Sequence, residues 1–146
     1  MKKLSLFVLM VAFLFGMSNW GHAQSKTPSI PHLTVAEYKA NPDKIFVVMF
    51  FGAGCGPCIK AKDDLLVDLS YIFSSEKYNG KVGVYLVNLT TGFPSDAPAE
   101  WKNDILYFPT FRVLYNGANL YTEKGYSTDK KNTLKRAIME AVDAKI

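Results

Sequence analysis

The chain has 146 residues, a length that suits one domain, and a formal net charge of +4 at pH 7. This charge is too small to indicate a nucleic-acid-binding protein. The sequence contains no internal repeat or low-complexity segment, which excludes repeat architectures and extended linkers.

The N-terminus has the three parts of a secretory signal. Lys2 and Lys3 provide the charged region, Leu4–Met17 is an apolar stretch, and Gly21-His22-Ala23 supplies small residues at a cleavage site. We therefore expect the first 23 residues to be removed after Ala23 and the protein to be periplasmic or secreted. An uncleaved anchor is the alternative, although the apolar run is short for a span of about 20 residues. No cysteine lies near the cleavage site, which excludes lipid attachment there.

The mature chain is predicted to consist of a polar lead-in over residues 24–32 and one domain over residues 33–146. Its first half is predicted to contain a helix begun by Thr34 and ended by Asn41-Pro42, a strand over Ile45–Phe51, a helix from Cys55 to Asn79-Gly80 and a strand over Val82–Leu89. Its second half is predicted to contain a loop over Thr91–Pro98, a short helix from Pro98 to Asp104, strands over Thr110–Tyr115 and Asn119–Lys124, and a helix from Ser127 or Thr128 onward.

Local patterns support these elements. Thr34-x-x-Glu37 is a capping box, and Ile45–Phe51 is a continuous apolar run typical of a strand buried on both faces. Asn116-Gly117 predicts a hairpin. Because a βαβ unit is parallel and a hairpin antiparallel, we expect an α/β fold with a mixed sheet flanked by helices.

The two cysteines of the chain form the motif Cys55-Gly56-Pro57-Cys58, directly after the first predicted strand. A CxxC motif between a strand and a helix is typical of a dithiol–disulfide redox centre. The unpaired N–H groups and dipole at a helix N-terminus stabilise a thiolate at the first cysteine, and the second lies within reach of a mixed disulfide. Pro57 suits the first turn of a helix.

Other uses of a CxxC pair are open. A closed zinc site needs four ligands, and after removal of His22 the chain offers only the two cysteines and His32, so no metal site is predicted. A purely structural disulfide would close a very small ring and would stabilise the fold weakly.

The element order and several motifs resemble the thioredoxin superfamily, over roughly Leu33 to Val142. The strand and turn FFGAG-Cys55-GP-Cys58, the segment Phe108-Pro109-Thr110, the hairpin turn and Gly125 after the last strand all match the family pattern. The resemblance implies a thioredoxin fold with a mixed central sheet built from a βαβ unit and a ββα unit.

The resemblance also implies roles for individual residues. Cys55 would be the nucleophile and Cys58 the resolving cysteine, with Gly56 and Pro57 as the active-site turn. Phe108, Pro109 and Gly54 would bind substrate, with a cis bond before Pro109 whose segment pairs its backbone with the substrate chain.

The chain departs from the family pattern near the motif. Gly54 stands where a tryptophan is usual, Met49 where a buried aspartate is frequent, and Leu86 where the next strand often has a lysine. Asp63 lies close to the position of a kinking proline. In the family the aspartate is thought to help deprotonate the resolving thiol. We therefore expect its absence at Met49 to affect the resolution step and not the first attack.

Several further residues have more ordinary interpretations. We expect His32 to be an exposed loop residue and Trp101 a lid over the core. Lys60 and Lys62 could raise the positive potential near Cys55, but we expect them on a solvated helix face. Tyr107 and Phe108 could line a peptide groove or pack in the core.

The resulting hypothesis is an exported thiol–disulfide oxidoreductase that reduces protein disulfides. It would act as a monomer without a cofactor, with substrate proteins and a membrane dithiol electron donor as partners and no nucleic acid. The alternatives are a disulfide oxidant or isomerase, and a chaperone that holds Cu(I) with Cys55 and Cys58, with Met49 as a conceivable third ligand.

Overall fold

A computed structural model describes residues 27–146, so the predicted signal peptide and the first residues of the lead-in lie outside the described part. The helices are α1 (Val35–Ala40), α2 (Gly56–Ala61), α3 (Val67–Phe73), α4 (Ala99–Lys102) and α5 (Lys131–Asp143). The strands are β1 (Ile45–Phe51), β2 (Val82–Asn88), β3 (Thr110–Tyr115) and β4 (Ala118–Lys124). A π-helical segment, Lys62–Leu66, joins α2 to α3, and a 3₁₀ turn, Thr128–Lys130, precedes α5.

The four strands form one mixed sheet in the order β2-β1-β3-β4. Strand β1 pairs in parallel with β2 and antiparallel with β3, which in turn pairs antiparallel with β4. The predicted combination of a βαβ and a ββα unit in one mixed sheet is confirmed.

Alternate residues of β1 point to two separate cores. Ile45, Val47 and Met49 belong to the core beneath α2, α3 and α5, whereas Phe46 and its alternate neighbours belong to the core beneath α1 and α4. Six of the seven β1 residues are buried because helices cover both faces, as the continuous apolar run predicted. Met49 is thereby placed on the same face as Cys58.

Most predicted element boundaries agree with the structure. Thr34 caps α1, where its Oγ1 accepts a hydrogen bond from the N–H of Glu37 at 3.1 Å. The predicted short helix from Pro98 to Asp104 is present over Ala99–Lys102. None of the helices in residues 27–146 combines the length and the apolarity that crossing a membrane requires.

The predicted end of the long helix at Asn79-Gly80 is wrong. Helix α3 ends at Phe73, where the Ser74 hydroxyl donates to the C=O of Tyr71 at 2.8 Å and competes with the helical pattern. Turns follow, and the Tyr78 ring packs edge-on against Phe73 with the ring centres 5.1 Å apart.

Two further expectations need correction. Trp101 is fully buried between Phe50 and Tyr38, and so it is part of the core instead of a lid over it. The predicted lead-in, given as a separate segment before the domain, is held on the sheet at its end, because the Leu86 N–H donates to the Pro31 C=O at 2.9 Å.

Candidate active site

The two cysteines lie at the junction between β1 and α2 and form a disulfide, with an S–S distance of 2.01 Å. Cys55 is the N-cap residue of α2, and its Sγ accepts a hydrogen bond from the N–H of Cys58 at 3.2 Å. Pro57 occupies the first turn, as predicted from its missing N–H. This junction thus places the sulfur of Cys55 next to a backbone N–H group in the first turn of α2.

The two cysteines differ in their exposure to solvent. Cys55 is partly exposed, whereas Cys58 is only 3% exposed and belongs to the core under α2. This asymmetry fits the predicted roles, since an attacking thiol must meet a substrate and a resolving thiol need only meet its neighbour. The roles themselves stay predictions.

The loop before β3 contains the cis peptide bond that the resemblance implied, between Phe108 and Pro109. The loop is fixed at both ends. The Gly125 N–H donates to the C=O of Pro109 at 2.7 Å, and the Thr110 hydroxyl donates to the C=O of Tyr107 at 2.7 Å.

Phe108 reaches the turn that carries the cysteines. Its ring covers Gly52, where a Cβ would lie only 2.7 Å from Cε2 of the ring. The absence of a side chain at Gly52 therefore allows the Phe108–Pro109 loop to lie directly on the turn before Cys55.

The turn itself is held from the opposite side. The Ala53 N–H donates to the Thr90 hydroxyl at 2.9 Å, and the Thr90 hydroxyl donates to Asn88 Oδ1 at 2.6 Å. Gly54 adopts φ +71°, in the left-handed region, and no atom lies within 4 Å of the position of a Cβ. Glycine adopts this positive φ without steric cost, so Gly54 suits the conformation of the turn.

Large apolar side chains are exposed on the loop before Pro109 and on α2. The exposed fractions are 80% for Leu106, 66% for Tyr107, 41% for Phe108 and 63% for Ile59. The sequence left two interpretations of Tyr107 open, a peptide groove and core packing. Its exposure excludes core packing. Leu106 and Ile59 were not singled out from the sequence, because a single apolar residue in a loop or helix gives no signal of exposure.

A cavity of about 280 Å³ lies beside the disulfide and is lined by both cysteines. Met49 and Leu86, which are register partners on β1 and β2, form part of its wall, so the positions of the frequent acid and lysine are apolar. Among residues 27–146, no group of three or more His, Cys, Asp and Glu side chains is placed to hold a metal ion.

Comparison with solved structures identifies the architecture. The thioredoxin from Trypanosoma brucei brucei superposes with a TM-score of 0.58 at 20% identity, covering 82% of this chain and 96% of that one. The chain has the thioredoxin fold. The thioredoxin of Malassezia sympodialis gives a TM-score of 0.57 at 24% identity, covering 77% of this chain and 90% of that one.

The thioredoxin of Plasmodium falciparum also gives a TM-score of 0.57 at 24% identity, covering 76% of this chain and 98% of that one. No protein-family model and no curated protein matches the sequence. At these identities the comparison confirms the thioredoxin fold expected from the motifs, and the chemistry of the site must be argued from its own residues.

Proposed function

We propose that this protein is an exported thiol–disulfide oxidoreductase that reduces protein disulfides through Cys55 and Cys58. The observation that carries the proposal is the cysteine pair at the N-terminus of α2 on a thioredoxin fold. The Phe108–Pro109 loop lies against the same turn. No cofactor is needed, because the two thiols supply both electrons.

Cys55 is the proposed nucleophile. The Cys58 N–H already points at its sulfur, and the helix N-terminus favours a negative charge there. A Cys55 thiolate would attack a substrate disulfide, form a mixed disulfide and release the first substrate thiol. Cys58 would then attack Cys55 Sγ, close the Cys55–Cys58 disulfide and release the second substrate thiol.

The proposed substrate is an extended stretch of polypeptide with apolar side chains. The exposed apolar side chains Tyr107, Leu106 and Ile59 support this, because large exposed apolar groups mark interaction surfaces. The backbone N–H and C=O of Phe108 would pair with the substrate chain as an added strand, because Pro109 has no N–H and its C=O already accepts from Gly125.

For the direction of the reaction we propose reduction, since the Gly-Pro spacer resembles that of reducing members of the superfamily. A protein that reduces disulfides outside the cytoplasm needs an electron source, and we propose a membrane dithiol carrier. The equilibrium potential of the Cys55/Cys58 couple tests this direction against an oxidant or isomerase, because about 30 mV corresponds to about 1.4 kcal/mol for two electrons.

Insulin reduction by dithiothreitol, followed as turbidity, tests the activity. The wild-type protein is expected to accelerate precipitation, and Cys55→Ser to abolish the acceleration. Cys58→Ser is expected to accumulate mixed disulfides through Cys55, visible as an adduct on a non-reducing gel. If iodoacetamide at neutral pH labels Cys58 of the reduced protein before Cys55, the assignment of the two roles is wrong.

Cu(I) binding by the reduced cysteines is the second candidate function. Met49 lies in the same cavity wall as both cysteines and would provide a soft third ligand. Titration of the reduced protein with Cu(I) distinguishes the two functions. Tight binding that weakens in Met49→Leu, together with no acceleration of insulin reduction, would favour the copper chaperone.

Export is proposed from the sequence of residues 1–23. The measurement is the N-terminal sequence of the protein recovered from its native host. The expected mature N-terminus is Gln24 in an extracytoplasmic fraction, and an intact Met1 on a cytoplasmic protein would contradict the proposal.

A further inference from the structure

The cavity beside the disulfide contains two polar side chains that the proposed reaction has not used. Its walls are largely apolar, and the exceptions among the lining side chains, apart from the cysteines, are His32 and Lys62. A volume of about 280 Å³ has room for several water molecules, since each water occupies about 30 Å³ of the liquid.

The resolving step needs a proton acceptor near this cavity. Cys58 is buried, and burial in apolar surroundings favours the neutral thiol over the nucleophilic thiolate. Met49 and Leu86 beneath the disulfide can accept no proton. The proton of Cys58 must therefore leave by another route, and the cavity is the space that adjoins the sulfur.

His32 is held at the edge of this cavity by the backbone on either side of it. The N–H of Leu33 donates to the C=O of Leu86 at 2.8 Å, and the Leu86 N–H donates to the C=O of Pro31. The His32 ring also packs against Phe51, with ring centres 5.9 Å apart. His32 is exposed, as the sequence predicted, and these contacts fix it beside the cysteine pair.

We propose that His32 accepts the proton of Cys58 through water in the cavity when the mixed disulfide is resolved. This inference rests on the proposed function. The Cys58 S–H passes its proton to a water, which passes one to the imidazole of His32. The Cys58 thiolate then attacks Cys55 Sγ. The Cys55–Cys58 bond forms, the bond from Cys55 to the substrate breaks, and the imidazolium returns the proton to the departing substrate thiolate.

Neutral imidazole suits this task because it is the side chain that changes charge between pH 5 and 8. The other titratable groups that face the cavity are Lys62, from the π-helical segment, and the two cysteines. Strands β1 and β2 contribute only apolar side chains to the wall. A lysine ammonium has three hydrogen-bond donors and no acceptor, so Lys62 can attract the forming thiolate but cannot take its proton.

The test is a single-turnover reaction that separates the two chemical steps. Reduced protein is mixed rapidly with a linear peptide disulfide whose two halves carry different fluorophores, between pH 5 and 9. Release of the first half reports the attack by Cys55, and release of the second half reports resolution by Cys58. Cys58→Ser isolates the first step.

The variants are His32→Gln, which keeps a polar side chain, and His32→Phe, which keeps the ring that packs on Phe51. Each is expected to lower the resolution rate at pH 7 by about tenfold or more. The plot of the resolution rate against pH is expected to show an inflection between pH 5 and 8 in the wild type and none in either variant. The rate of the first step is expected to stay unchanged. Lys62→Gln is expected to retain that inflection, and its loss in this variant alone would assign the proton to Lys62 and overturn the inference.

Failure of the inference and failure of the proposed function are distinguishable. A wild-type protein that releases neither half of the peptide contradicts the oxidoreductase. A wild-type protein that releases both halves, with a resolution profile that lacks the inflection or keeps it in both His32 variants, overturns the role of His32 alone. An unchanged first step shows that these variants are folded.

Discussion

Replacement of Gly52 by alanine tests whether the Phe108–Pro109 loop lies directly on the turn before the cysteines. The new Cβ would lie 2.7 and 2.8 Å from two ring carbons of Phe108. Ordinary carbon–carbon contacts are about 3.5–4.0 Å, so the ring must move by about 1 Å. Because Phe108 is 41% exposed, its ring can move outward, and we expect a destabilisation of about 1–2 kcal/mol, toward the low end for overpacking.

The same substitution in a Phe108→Ala background is the matched control. Without the ring there is no clash, and the backbone of Gly52 is outside the left-handed region. Alanine should then stabilise the protein by about 0.4–1 kcal/mol, because it restricts the unfolded chain. The predicted effect of Gly52→Ala thus changes sign between the two backgrounds, which is a coupling between neighbouring residues.

Urea denaturation of the oxidised proteins measures these four stabilities. The displaced ring should also slow reduction of insulin by Gly52→Ala, while iodoacetamide labels reduced Cys55 at an unchanged rate. Equal destabilisation by Gly52→Ala with and without the Phe108 ring would refute the reasoning, since the cost would then come from the Gly52 backbone.

Three further predictions concern stability. Gly54→Ala is expected to cost about 1–2 kcal/mol in urea denaturation, because φ is +71° and no neighbour compensates the strain; an unchanged midpoint would contradict this. Hydrogen bonds from the Tyr78 hydroxyl and then from Lys77 lower the pKa of Asp143, so its stabilisation exists above the unfolded pKa and is lost as the pH falls. Asp143→Asn should therefore flatten the acid side of a plot of Tm against pH, and an unaltered acid side would rule this out. Burial raises the pKa of Tyr126 to about 12, so stability is lost between about pH 10 and 12, and Tyr126→Phe should reduce that loss in urea midpoints.

The sequence alone determined most of the element order and the position of the cysteine pair, because both depend on local patterns. The capping box at Thr34, the apolar run of β1 and the Asn116-Gly117 turn each act over a few residues. The Cys55–Cys58 spacing is likewise local, and a strand before it and a helix after it are enough to predict a dithiol at a helix N-terminus.

Contacts between distant segments decided what the sequence could not. Helix α3 ends at Phe73, where the Ser74 hydroxyl and packing of Tyr78 outweigh the Asn-Gly signal further on. Arg112 is only 2% exposed in β3, with Nη1 donating to the Thr122 hydroxyl at 3.0 Å, although its charge predicts a solvated position. This hydrogen-bond partner is set by the pairing of β3 with β4, which places Thr122 directly opposite Arg112.

The surroundings of the cysteine pair are also decided by the tertiary structure. Gly52 and Phe108 are 56 positions apart in the numbering and meet only because β1 and β3 are neighbours in the sheet. His32 reaches the cavity because the backbone around it pairs with Leu86. A lone histidine or glycine gives no local signal of such a neighbour. Thus the sequence predicted where the two cysteines lie in the element order, whereas the fold decided which side chains surround them.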